Sequence, residues 1–179
     1  MKALISCIMI LMFSAGYAQE ESLIIEGRIE EGTVRAIVDK NMRDMFYSLK
    51  DVEITVLSDG MLVKTAQTDT SGNYRFTLVP NQEYSISFHK EGYLDKTFII
   101  DGTKYNLDMN RANMIESDVA LFRDLNDEEL RQYVQHPSAK CRYYKNRKEF
   151  KWDLIYAESQ QQHFLKLLEK ATIASLGEE

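Results

Sequence analysis

Cysteine and proline are scarce in this chain of 179 residues, with two of each. So few cysteines exclude a disulfide-stapled miniprotein, and so few prolines exclude a collagen-like repeat or a proline-rich linker. Histidine is rare as well. His89, His136 and His163 stand alone, without His-x-x-Glu or His-Glu-x-x-His spacing, so the converging ligands of a catalytic zinc are missing. No Gly-x-Ser-x-Gly elbow offers a nucleophile. The reading is therefore of a non-enzyme, with no catalytic residue, metal or cofactor assigned. What is present is 44% hydrophobic, 11% aromatic and 28% charged residues, enough apolar material for a packed core. At this length one domain with an appendage fits better than two full domains.

Residues 1–18 are expected to be a signal peptide. Lys2 gives the positive start, Ala3 to Phe13 is apolar apart from Ser6 and Cys7, and Ser14-Ala15-Gly16-Tyr17-Ala18 sets small residues before a cleavage point. The apolar run is shorter than the ~20 residues a membrane span requires, and no other long apolar run follows. Cleavage after Ala18 leaves 161 of the 179 residues and takes Lys2 with it, moving the net charge from −6 to −7. Cys141 is then the one remaining thiol, so no internal disulfide is available and the core holds the fold unaided. The expected location is the periplasm or the cell exterior, with no transmembrane segment after cleavage.

From Leu23 to Phe122 short runs alternate with turn residues, the pattern of an all-β domain. Val52, Ile54 and Val56 share one face of a strand. Ser58-Asp59-Gly60 turns the chain into a hairpin partner from Met61 to Gln67. Asp69-Thr70-Ser71-Gly72-Asn73 turns it again, into Tyr74-Arg75-Phe76-Thr77-Leu78. Further strands are expected at Tyr84 to Phe88, Lys96 to Ile100 and Ile115 to Phe122. Seven or so such strands predict a β-sandwich. Residues 33–50 fit helical spacing through Val34, Ile37, Val38, Met42, Met45, Phe46 and Leu49. They equally fit a strand followed by an ordered loop carrying Met45 and Phe46, which is the preferred reading.

Beyond Arg123 the character changes. Asn126-Asp127-Glu128-Glu129 predicts a helix N-terminus, its acids facing the positive end of the dipole, and Pro137 stops the helix. Lys140 to Trp152 alternates about a turn at Lys145-Asn146-Arg147-Lys148 and predicts a hairpin. A last helix runs from Asp153 to about Ser175. The division expected is 1–18 signal peptide, 19–123 sandwich and 124–179 helix-hairpin-helix tail.

The stretch Thr68-Asp69-Thr70-Ser71-Gly72-Asn73-Tyr74-Arg75-Phe76 resembles the Thr-Asp-x-x-Gly-x-Tyr/Phe-x-Phe pattern of the carboxypeptidase regulatory-like domain. Lys50-Asp51-Val52-Glu53-Ile54-Thr55-Val56 and Lys90-Glu91-Gly92-Tyr93 resemble two further stretches of that family. The resemblance covers about residues 23–122 and implies a mainly β fold, a transthyretin-like seven-strand Greek-key sandwich, acting as an accessory or interaction module. The tail from Pro137 to Tyr156 is similar to tails that follow this domain in small exported proteins of Bacteroidota-type bacteria.

The most distinctive local feature is basic and aromatic. Residues 140–151 carry six Lys or Arg against Glu149, a net +5 in a mature chain whose remainder is −12. Lys140, Arg142, Tyr144, Lys145, Arg147 and Lys148 are the candidate contacts for a partner, a glycan or an anionic lipid surface. A solvated hairpin with its aromatics packed inward accounts for the same alternation and is the preferred reading. Nucleic acid is not expected as a partner of an exported, acidic protein. The leading expectation is a non-catalytic module for a cell-envelope protein. An envelope glycan- or anionic-lipid-binding module using the 140–152 hairpin is the alternative.

Overall fold

The structure, a computed structural model, describes residues 22–33, 47–105 and 114–176. The expected signal peptide and most of the ambiguous 33–50 segment lie outside the described residues. Ten strands and two helices are present among them. In chain order they are β1 (Leu23–Glu31), β2 (Glu53–Ser58), β3 (Met61–Gln67), β4 (Asn73–Leu78), β5 (Glu83–His89), β6 (Lys96–Asp101), β7 (Met114–Glu116), β8 (Val119–Leu121), α1 (Glu128–Tyr133), β9 (Ala139–Tyr144), β10 (Glu149–Trp152) and α2 (Leu154–Leu176).

The strands form two sheets. In the first, β1 lies between antiparallel β4 on one side and parallel β7 and β8 on the other. The second has six strands in the order β10-β9-β6-β5-β2-β3. Period-two alternation turns one face of each sheet inward. Leu23, Ile25 and Ile29 of β1 and Tyr74, Phe76 and Leu78 of β4 meet Ile54, Val56, Ile86, Phe88, Phe98 and Ile100 of the second sheet in one buried cluster. The result is a mainly β, two-sheet sandwich with a C-terminal helix.

The Thr68–Phe76 motif has a physical reason at each of its fixed positions. Buried Thr68 bridges two backbones: its Oγ1 accepts from Val52 N at 3.0 Å and donates to Leu49 O at 2.8 Å. One carboxylate oxygen of Asp69 accepts from Ser71 N and Asn73 N, both at 2.8 Å, which closes the turn. Those contacts hold the Asp69 carboxyl below its ordinary value. Gly72 has φ +76°, and a Cβ there would stand 2.6 Å from Ile29 O. Tyr74 faces the core and its hydroxyl donates to Ser117 O at 2.6 Å.

The single run expected over Ile115–Phe122 is two short strands. Both keep one register on β1, from Ile24↔Met114 to Glu31↔Leu121, but the ladder is interrupted opposite Gly27 and Arg28. There Arg28 N donates to the Asp118 side chain at 2.9 Å instead of to backbone. A Cβ on Gly27 would lie 2.0 Å from Ser117 O and 3.0 Å from Tyr74 Oη, so the missing side chain makes room for that bond.

The expected hairpin at 140–152 forms, with β9 and β10 antiparallel through Tyr144↔Glu149 to Cys141↔Trp152. It is more than a tail. β9 lies parallel to β6, from Phe98↔Ala139 to Asp101↔Arg142, so the hairpin widens the second sheet from four strands to six. Cys141 and Tyr143 take the inward positions, and Tyr105 covers Tyr143 and Phe150 with ring centroids 4.9 and 5.3 Å away. The helix expected at Asn126–Glu129 starts at an Asp127 cap whose side chain accepts from Leu130 N. Leu130 of α1 and Leu168 and Ala171 of α2 form a second small core with Leu94 and Phe122, which docks the helices on the sandwich.

Candidate functional site

The six residues singled out in the sequence lie on the outside of the hairpin. Arg142 and Tyr144 point outward from β9, and Lys145, Arg147 and Lys148 are exposed in the turn. Arg147 N and Lys148 N both donate to Tyr144 O, at 3.0 and 2.8 Å, and Lys148 adopts φ +53° to do so. Arg142 and Lys140 have neighbours within the fold. Arg142 Nε lies 3.5 Å from the Asp101 carboxylate, and Lys140 Nζ lies 4.3 Å from the centre of the Tyr156 ring. Alternation turns Tyr143 inward, whereas Tyr144 stays outside with the cations, so the expected inward packing of the aromatics holds only in part. The cations lie on a largely solvated hairpin at the end of the second sheet.

A concave site exists elsewhere. The first sheet is narrower than the second, and β6, β9 and β10 extend past it on the side where α2 and the end of α1 close over them. Between lies a cavity of ≈ 480 Å³, lined by Phe98, Ala120, Phe122, Trp152 and Phe164 among others. Its helical wall is fastened by tyrosines. The Tyr133 hydroxyl lies 2.7 Å from Gln160 Oε1, the Tyr156 hydroxyl donates to Pro137 O at 2.6 Å, and the Tyr133 ring stacks on His163 at 4.8 Å.

Lys96 belongs to this cavity. It occupies an inward position of β6, in phase with Phe98 and Ile100 and directly opposite Phe88 of β5. The side chain keeps some accessible surface because the cavity admits water, while protein atoms crowd its ammonium. Its contacts are weak: Ala120 O at 3.4 Å, and the Phe98 ring centre at 5.8 Å. Among the described residues no carboxylate lies within 4.0 Å of Nζ. Asp95 and Asp118, which also line the cavity, are engaged by His89 Nδ1 at 2.7 Å and Arg28 N at 2.9 Å. Burial accordingly pushes the Lys96 ammonium down to about 8. Its signal was present in the sequence: a lysine in the apolar phase of Lys96-Thr97-Phe98-Ile99-Ile100, where a strand that faces a core carries no charge without reason.

A third feature is apolar and exposed. β3 is the outer strand of the second sheet, and Met61, Leu62 and Val63 at its start are 68%, 61% and 48% exposed. Lys64 sits at an inward-phase position opposite Val56 and guards the remainder of that edge.

Among the described residues no three His, Cys, Asp or Glu side chains converge as metal ligands, and no helix is long and apolar enough to cross a membrane. Cys141 is buried, and burial pushes its thiol up to about 12.

No protein-family model and no curated protein matches the chain. Among solved structures it is similar to the Bacillus anthracis TIE protein, at 21% identity and TM-score 0.38, over 56% of this chain and 18% of that one. It is similar to a C-terminal fragment of the pilus adhesin SpaC from Lactobacillus rhamnosus GG, at 13% identity and TM-score 0.39, over 59% and 46%. It is likewise similar to 3-chlorocatechol 1,2-dioxygenase from Rhodococcus opacus 1CP, at 12% identity and TM-score 0.38, over 60% and 62%. The chain spans less than two thirds of each of these structures, and likenesses at such scores carry no argument about its role.

Proposed function

We propose that the chain is a non-catalytic interaction module of the carboxypeptidase regulatory-like type, exported to the cell envelope, that engages a protein partner through the β2–β3 hairpin. The observation that carries the reading is the exposed apolar triplet Met61-Leu62-Val63 at the start of an edge strand. Large apolar side chains left exposed together on an edge strand offer a contact surface, and the adjoining Lys64 keeps the strand from pairing indiscriminately. Export is supported by the pattern of residues 1–18, and the family reading by the Thr68–Phe76 motif. The test is in-cell crosslinking of the tagged protein, with a photoreactive residue in place of Leu62, followed by mass spectrometry. The expected result is one discrete envelope protein, lost in the Leu62→Ser, Val63→Ser variant. Capture of nothing above background, or capture indifferent to those substitutions, overturns the reading.

A second reading follows from the exposed cations at the β9–β10 turn, beside Arg142 and Lys151, which face each other across the ladder. It is an electrostatic contact with envelope glycan or anionic lipid. It requires salt-sensitive binding to extracted envelope polymer that is abolished by Arg142→Glu with Lys145→Glu.

A further inference from the structure

We propose that the cavity between α2 and the open side of the sandwich binds a monoanionic amphiphile, an acyl-chain carboxylate, with its carboxylate on Lys96 and its apolar chain among Phe98, Phe122, Trp152 and Phe164. The proposal is independent of the contact assigned to Met61–Val63, which lies at the far edge of the same sheet.

Three observations converge on this ligand class. The first is shape and lining: a half-open cavity of ≈ 480 Å³ with a mainly apolar lining falls in the range of small-molecule sites, about 300–1,000 Å³. The second is the placement of one cation. Lys96 stands on the core side of β6, where a charge is tolerated only when paired, and its best contact is a carbonyl at the outer limit of hydrogen bonding. A carboxylate entering the cavity supplies the missing partner and gives the ammonium a charge-assisted bond in a water-poor setting. The third is the sign of the surroundings. Asp95, Glu116 and Asp118 line the same cavity, so a doubly charged head such as a phosphate monoester meets about twice the repulsion that a single carboxylate does, with one cation to offset it. The depressed proton affinity of Lys96 is in keeping with an unpaired ammonium, and a bound anion raises it again.

Trp152 is the sole tryptophan and lines the cavity, so its emission reports occupancy directly. The experiment titrates the full mature chain at pH 7 with decanoate, decylamine and acetate, each below its aggregation threshold. Decanoate is expected to change the emission saturably, whereas decylamine, with the same chain and the opposite charge, and acetate, with the head and no chain, are not. Lys96→Met is expected to weaken decanoate binding at least about tenfold, the loss that follows removal of one partner of a charge-assisted hydrogen bond, and Lys96→Arg to retain binding. Ala157→Phe, which fills the cavity from α2 and leaves Lys96 in place, is expected to abolish binding and serves as the check if Lys96→Met does not fold. Equal response to decylamine, undiminished binding by Lys96→Met or Ala157→Phe, or no saturable response to decanoate overturns the proposal.

Discussion

Lys96 is held at a core position without an anionic partner among the described residues, and replacing it by methionine is expected to make the protein more stable. Its ammonium falls from an ordinary value of 10.5 to about 8 because burial removes its hydration. Each pH unit of that displacement is worth about 1.4 kcal/mol, so the full penalty on the charged form is about 3 kcal/mol. Water in the cavity screens part of it, which leaves about 2 kcal/mol for Lys96→Met to recover at pH 7. The sign with pH follows from proton counting. Between about 8 and 10.5 the unfolded chain holds the Lys96 proton and the folded chain does not, so wild-type stability gains as pH rises through that window. The advantage of the variant is therefore complete below pH 8 and shrinks toward zero by pH 10.5. Burial raises Cys141 and the buried tyrosines above ordinary values that lie near this window, but both proteins share them and the difference isolates Lys96. Urea unfolding followed by Trp152 emission, on both proteins without added ligand at pH 7.0, 8.5 and 9.5, measures it. A variant less stable than wild type at pH 7, or an advantage unchanged at pH 9.5, refutes the reasoning.

Three further outcomes follow from the packing. Gly27→Ala drives a methyl group onto Ser117 O, 2.0 Å from the ideal Cβ, and is expected to lower stability by at least about 3 kcal/mol in chemical denaturation; a loss under about 1 kcal/mol contradicts the close approach. Thr68→Val strands a buried N–H of Val52 and the carbonyl of Leu49, a loss of about 2–4 kcal/mol that Thr68→Ser largely restores. The Cys141 thiol, buried and pushed up to about 12, is expected to resist a neutral thiol reagent in the native protein and to react once urea unfolds it; prompt native labelling places it at the surface instead.

Much of the architecture is legible because strands carry a local signature. Ile54 and Val56, or Tyr84, Ile86 and Phe88, announce both a strand and its buried face, and every one of them is in the core. Turns are equally local, since Asp69 closes its own within four residues. Alternation says which face is inward, but not which strand is the neighbour. The parallel addition of β9 to β6 and of β7 and β8 to β1 spans dozens of residues, and no local pattern encodes it. The candidate site suffered from the opposite bias. A dense run of cations at 140–151 is conspicuous and lies on an exposed hairpin, whereas one lysine in strand phase is inconspicuous and lies in the cavity.

The parallel seam between β6 and β9 also orders events in time. A chain emerging from its N-terminus exposes the β6 edge until residues 139–144 arrive, and the cavity has no outer wall until α2 carries Phe164 into place. Sandwich pairing can be complete, with β1 through β8 in register, while the future cavity is still an open shelf. That shelf gains its outer wall only when α2 docks, so the cavity depends on the last element of the chain although the paired strands do not.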